Sequence, residues 1–177
     1  MKPSFAWIVG IAAVALAAII IVPFFKGAPS SSSGPAGLAG QAAPVFDLLD
    51  DNGKPVSLAQ YRGRVVVMNL WASWCPPCRA EMPDLQRLAE AYRGSNLTIV
   101  GVNEGESAQR ASDFAASLRI AFPIWIDDQQ RYGRVYAALG LPTTVVVGRD
   151  GLVVRGFDGP LAYEQMRAAV QGLAKKP

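Results

Sequence analysis

The chain has 177 residues, half of them apolar, with seventeen Lys or Arg, fourteen Asp or Glu, two Cys and no His. The missing histidine excludes His-based triads, His general bases and mixed Cys/His zinc sites, and two cysteines alone cannot complete a structural zinc or iron–sulfur site within one chain. Lys2 and Lys26 are the only charges in the first forty residues, so residues 41–177 hold fifteen bases against fourteen acids and lack the footprint of a nucleic-acid binder.

The apolar excess is local. Phe5 to Phe25 read FAWIVGIAAVALAAIIIVPFF, without a charge or a polar stripe at helical spacing. As a helix this run spans roughly 30 Å, the thickness of a bilayer's hydrocarbon core. Residues 1–25 are therefore predicted to be a transmembrane anchor, N-terminus inside, with Trp7 and Phe24–Phe25 at the interfaces. The competing reading is a cleaved signal peptide. It needs a small-x-small site directly after the span, where Pro23, Phe24, Phe25 and Lys26 stand instead. Residues 26–43, KGAPSSSSGPAGLAGQAA, have linker composition and no apolar period. A flexible chain of that length reaches roughly 20–25 Å.

A globular pattern begins at Pro44 and defines a domain over residues 44–177. Val45–Leu49 and Lys54–Leu58 flank Asn52-Gly53, a strong hairpin signal. Arg64–Trp71, RVVVMNLW, is a nearly continuous apolar run rich in β-branched residues, as expected of a strand buried on both faces. Pro76–Tyr92 is predicted helical, Leu97–Val102 a second buried strand, and Ser107–Leu118 an amphipathic helix. Ile124–Ile126 follows as a strand and Gln129–Leu139 as a helix capped by Gly140. Thr143–Val147 and Leu152–Phe157 form a hairpin through Asp150-Gly151, and Leu161–Leu173 closes the chain as a helix. This order implies an α/β fold, a mixed sheet with helices on both faces.

The chemical signal is Trp71-Ala72-Ser73-Trp74-Cys75-Pro76-Pro77-Cys78-Arg79-Ala80-Glu81, placed where a buried strand ends and a helix begins. Two intervening residues bring both sulfurs within bonding reach on the first helical turn. The first sulfur then meets the unpaired N–H groups and positive dipole end of the helix, which favour a thiolate. In Cys-x-x-Cys motifs thiol pKa values fall from about 8.5 to between about 3.5 and 7.5. Proline is tolerated in the first turn, where its missing N–H costs nothing. Cys75 is thus the expected attacking thiolate, Cys78 the resolving thiol, and the pair a redox-active disulfide. A purely structural disulfide is disfavoured, because so short a loop constrains the unfolded chain little.

These features, with the later Leu141-Pro142-Thr143-Thr144, resemble the thioredoxin superfamily over roughly residues 44–174, and within it the TlpA/ResA/CcmG-like membrane-anchored thioredoxins. The N-terminal hairpin, the NLWASWCPPCRAEMP segment, the helix–strand insertion near 105–127 and LPTTVVV carry the resemblance. It implies a cis-proline at Pro142, with the Leu141 backbone pairing to an extended partner segment. It also implies client contacts at Trp74 and Pro76, and a helix-kinking role for Pro83. Glu81, one turn beyond Cys78, matches an acid of that group and would accept the resolving thiol's proton. The buried aspartate of ordinary thioredoxins is here Asn69, which cannot act as an acid. The implied activity is extracytoplasmic reduction of client disulfides, of the cytochrome c maturation or copper-site assembly type, with no cofactor or metal. A membrane thiol carrier of the DsbD/CcdA type would supply electrons. Two rival readings remain. A peroxiredoxin-type peroxidase needs Thr or Ser three residues before its cysteine, where this chain has Ala72. A non-catalytic binding module or chaperone would not need the intact Cys75, Cys78 and Pro142.

Overall fold

The computed structural model describes residues 34–174. The predicted anchor, residues 1–25, and most of the predicted linker lie outside them; no helix among the described residues is long and apolar enough to cross a membrane. Seven strands form one sheet: β1 Leu48–Asp50, β2 Pro55–Val56, β3 Val65–Trp71, β4 Leu97–Glu104, β5 Ile124–Asp127, β6 Thr143–Val147 and β7 Val153–Asp158. Their spatial order is β2-β1-β5-β4-β3-β6-β7. β3, β4 and β5 are mutually parallel, whereas β1 pairs antiparallel with β2 and β5, and β6 antiparallel with β3 and β7. Among the described residues four α-helices alternate with them: α1 Pro76–Ala91, α2 Ala108–Ser117, α3 Arg131–Val135 and α4 Tyr163–Val170.

The nearly continuous apolar run of β3 has a direct cause. Successive side chains point to opposite faces, and both faces are covered. Val65, Val67 and Trp71 join one core with Met82, Leu85 and Leu88 of α1, Ala111 of α2 and Met166 of α4. Val66, Met68 and Leu70 join the other, with Tyr132 of α3 and Tyr136 just after it. Asn69 interrupts the run on the α1 face and is fully buried. A residue so placed needs hydrogen-bond partners, because burying an unpaired amide costs a few kcal/mol.

The mixed sheet, the two hairpins and the insertion agree with the sequence-based expectation, with boundaries shifted by up to three residues. Gly53 (φ 77°) and Gly151 (φ 83°) take the left-handed turns that their hairpins require. The exception is α3, which spans Arg131–Val135 rather than Gln129–Leu139, and Gly140 does not cap it. Tyr132 and Tyr136 are anchored through their hydroxyls to the carbonyls of Phe46 and Pro44. Ala137 then adopts φ 52° and turns the chain toward the next strand. Tertiary anchoring overrides helix propensity here.

Residues 34–43 carry linker composition yet lie along β7. Pro35–Leu38 forms a 3₁₀ turn. Gly40 N–H donates to Val153 O, Val153 N–H to Gln41 O, and Ala43 N–H to Gly151 O, each at 2.8–2.9 Å. A side chain at Gly156 would sit 2.4 Å from the Pro35 carbonyl carbon, so glycine is needed for this approach. The segment covers an edge strand that would otherwise present unpaired backbone groups.

Candidate active site

β3 ends at Trp71 and α1 starts at Pro76, so the intervening turn stands at the carboxyl ends of the parallel strands. Trp71 is fully buried against Phe114 of α2, with ring centroids 5.6 Å apart. Gly101 on β4 makes room for it, since a Cβ there would lie 2.9 Å from the indole nitrogen. Trp74, by contrast, is 60% exposed beside the cysteines.

Cys75 and Cys78 form a disulfide with Cα atoms 5.3 Å apart. Cys75 is the N-cap of α1, and Cys78 N–H donates to its sulfur at 3.3 Å. Pro76 and Pro77 occupy the two positions between them and have no N–H. The first free N–H of the helix is therefore that of Cys78, and it points at the Cys75 sulfur. A negative charge on that sulfur would be stabilised by this N–H and by the dipole end behind it. Cys78 itself is fully buried, whereas Pro76 and Pro77 are exposed.

Glu81 lies on the same buried face of α1 as Cys78 and is only 3% exposed. Its Oε1 accepts from the Asn69 amide at 2.7 Å and its Oε2 from Leu161 N–H at 3.0 Å. Burial lifts its pKa to about 7; the Leu161 and Asn69 hydrogen bonds pull downward, and Asp84 one turn along pushes up. The acid thus titrates in the range where thiol–disulfide exchange operates.

The peptide bond Leu141–Pro142 is cis. Its loop is bracketed by the end of β7: Gly159 N–H donates to Pro142 O at 2.9 Å, and Asp158 Oδ1 accepts from Leu139 N–H at 3.0 Å and from the Thr143 hydroxyl at 2.9 Å. Leu141 packs against both core clusters, and the pairing of Leu70 with Thr143 puts the loop at the same end of the sheet as the turn that carries the cysteines. Pro83 lies inside α1 and cannot donate back to the preceding turn.

One part of the site was not foreseen. Glu106, after β4, accepts from Ser73 N–H at 2.7 Å, from the Ser73 hydroxyl at 2.5 Å and from the Asn103 amide at 2.8 Å. Burial pushes its pKa up, but these hydrogen bonds outweigh burial and hold it below the usual carboxylate range. Glu106 therefore pins the turn before Cys75 as an anion. The available signal was Glu104-Gly105-Glu106 closing an apolar strand, where acids need a structural reason. Glu104 forms a second buried group with Asp127, paired across β4 and β5. Burial, then the nearby Asp127, raises Glu104 to about 7. Among the described residues no cluster of three or more His, Cys, Asp or Glu could hold a metal ion.

A buried, disulfide-bonded cysteine pair at a helix start, at the same end of a mixed sheet as a cis-proline loop, defines a thioredoxin-like thiol–disulfide oxidoreductase. The AhpC/TSA family model matches residues 39–155, and the chain belongs to that family. Its relatives include the thiol-disulfide oxidoreductase ResA of Geobacillus thermodenitrificans, 34% identical over 134 residues, covering 76% of this chain and 77% of that protein. The ResA of Bacillus subtilis is 34% identical over 122 residues, covering 69% and 68%. Among solved structures, a thiol:disulfide interchange protein of the thioredoxin family from Chlorobium tepidum superposes with a TM-score of 0.66 at 26% identity, covering 75% of this chain and 94% of that one. StoA from Bacillus subtilis gives 0.63 at 26% identity, covering 72% and 97%.

Proposed function

We propose that the chain is a membrane-tethered, extracytoplasmic reductant of client-protein disulfides. In this reading residues 1–25 anchor it, residues 26–43 lead to the domain, and the clients belong to cytochrome c maturation or copper-site assembly. A membrane thiol carrier of the DsbD/CcdA type restores the dithiol. The observation that carries the reading is the Cys78 N–H aimed at the Cys75 sulfur across two prolines.

The reduced Cys75 thiolate attacks a client disulfide, and one client sulfur leaves as thiolate. Cys78 gives its proton to Glu81, and its sulfur attacks the Cys75 sulfur. The Cys75–Cys78 bond forms, the mixed disulfide breaks, and the second client sulfur departs. The client gains two electrons and the cysteine pair loses two. Trp74, Pro76 and the Leu141 backbone, next to the cis-proline Pro142, meet the client. Ala72 supplies no hydroxyl for peroxide, which weighs against the peroxidase alternative.

Cys78→Ser should trap clients as mixed disulfides through Cys75, visible as reductant-sensitive adducts on non-reducing gels. Failure to trap any disulfide protein, with Cys75 reduced, would overturn the reading. The reduction potential decides direction: below about −220 mV fits a reductant, near about −120 mV an oxidant.

A further inference from the structure

Glu81 must be comfortable in two protonation states if it carries the resolving thiol's proton, and its hydrogen bonds suit only one. Both carboxylate oxygens accept from N–H donors, Asn69 at 2.7 Å and Leu161 at 3.0 Å. A proton arriving on either oxygen must share it with a donor already there or displace that donor. The Leu161 donor is backbone and fixed. The Asn69 donor belongs to a carboxamide whose other end, Oδ1, is buried and without a hydrogen-bond partner. Its Nδ2 is shared between Glu81 and the Thr144 hydroxyl oxygen, 3.1 Å away on the neighbouring strand, where Asn69 and Thr144 are directly paired.

We propose that Asn69 is a positioning residue that turns over with the proton on Glu81. With Glu81 ionised, the Asn69 amide donates to both Glu81 and Thr144, as seen. With Glu81 protonated, the carboxamide rotates by half a turn and its Oδ1 accepts from the Glu81 O–H and the Thr144 O–H. The two ends of a carboxamide are nearly equal in size, and a hydroxyl serves as donor or acceptor, so the exchange keeps the side chain's volume, and the NH2 then takes the buried place where Oδ1 now has no partner. No covalent bond changes beyond the proton transfer itself. Because Thr144 lies two residues beyond the cis peptide, the proton state of Glu81 is also relayed to the strand behind the client-binding loop. Aspartate at position 69 could not do this, since it would place a second acid against Glu81. The other ionisable groups near Glu81 are Asp84 on α1 itself and, in the reduced chain, the Cys78 thiol one turn earlier on the same buried face. From β3 the facing group is Asn69, and from the segment before α4 the Leu161 N–H.

This inference rests on the proton-carrying role of Glu81 given above, and its test is separate. The full-length chain, reduced and detergent-solubilised, is titrated while the Asn69 side-chain NH2 resonances and the Glu81 carboxyl carbon are followed by NMR. The expected result is that the Asn69 NH2 signals move with the Glu81 midpoint and that Thr144→Val weakens this coupled movement. In Asn69→Leu the ionised form loses its donor, and the Glu81 midpoint should rise by about one to two pH units, from the usual strength of a hydrogen bond to a charged group. In Asn69→Asp the single titration should split into two steps belonging to the carboxyl pair. Asn69 signals that stay still while Glu81 titrates would overturn the inference and leave the exchange reaction intact. That readout uses the unsubstituted protein and does not depend on any variant folding. Exchange kinetics of Glu81→Gln address the carrier role itself.

Discussion

Replacing Glu81 by Gln removes a buried carboxyl while keeping its shape. The folded protein holds the Glu81 proton up to about pH 7, whereas the unfolded chain releases it near the ordinary value of 4.5. Between those pH values the native state binds more protons than the unfolded state, so stability falls as pH rises through the window. Below pH 4.5 both states are protonated and nothing is lost; above pH 7 the full cost is present. A gap of about 2.5 pH units, at about 1.4 kcal/mol each, comes to roughly 3 kcal/mol. The Gln variant should therefore gain roughly 3 kcal/mol relative to the parent between pH 4.5 and pH 8, whatever its offset at pH 4.5. Glu104 also titrates near 7 and contributes a similar slope to both proteins, so the difference between them isolates Glu81. Urea unfolding of the oxidised proteins, followed by tryptophan fluorescence across that range, measures it. A parent–variant difference that is flat with pH would refute the claim that burial governs this carboxyl.

Glu106→Ala leaves the Ser73 N–H and the Asn103 amide without their acceptor, which should cost about 1–3 kcal/mol and lower the melting temperature. Because the Glu106 pKa is held below the usual range, its stabilisation is present above that range and fades as pH falls through the lowered value; the variant should therefore differ most from the parent at neutral pH. The same variant should exchange disulfides more slowly, since the turn before Cys75 is no longer pinned; stopped-flow reduction of a model disulfide reads this. Gly156→Val forces the Pro35 segment off β7, and limited proteolysis should then cut within residues 34–43 while the rest of the domain resists.

The sheet was legible because its signals are local and strong. β3 shows itself as six apolar positions broken once, at Asn69, and the two hairpins show themselves through Gly53 and Gly151. The cysteine pair was legible for the same reason, because spacing and position at a helix start are written in adjacent residues. The end of α3 was not, since Tyr132 and Tyr136 are drawn into the second core by carbonyls some ninety residues earlier. The Glu106–Ser73 pin was missed because its partners are thirty-three residues apart and meet only when β4 lies beside β3. Composition also hid the packing of residues 34–43, whose hold on β7 is made largely by main-chain hydrogen bonds that any sequence can form. The partners of Asn69 were illegible until the pairing of β3 with β6 put Thr144 opposite it.

The reactivity of Cys75 in the reduced chain tests the account most directly. Alkylation by iodoacetamide as a function of pH, with the modified cysteine identified by mass spectrometry, reports where its thiolate forms. Cys75 should react first, with a midpoint well below that of an ordinary thiol, about 8.5. A midpoint at or above that value, or preferential modification of Cys78, would contradict a sulfur activated by the start of α1.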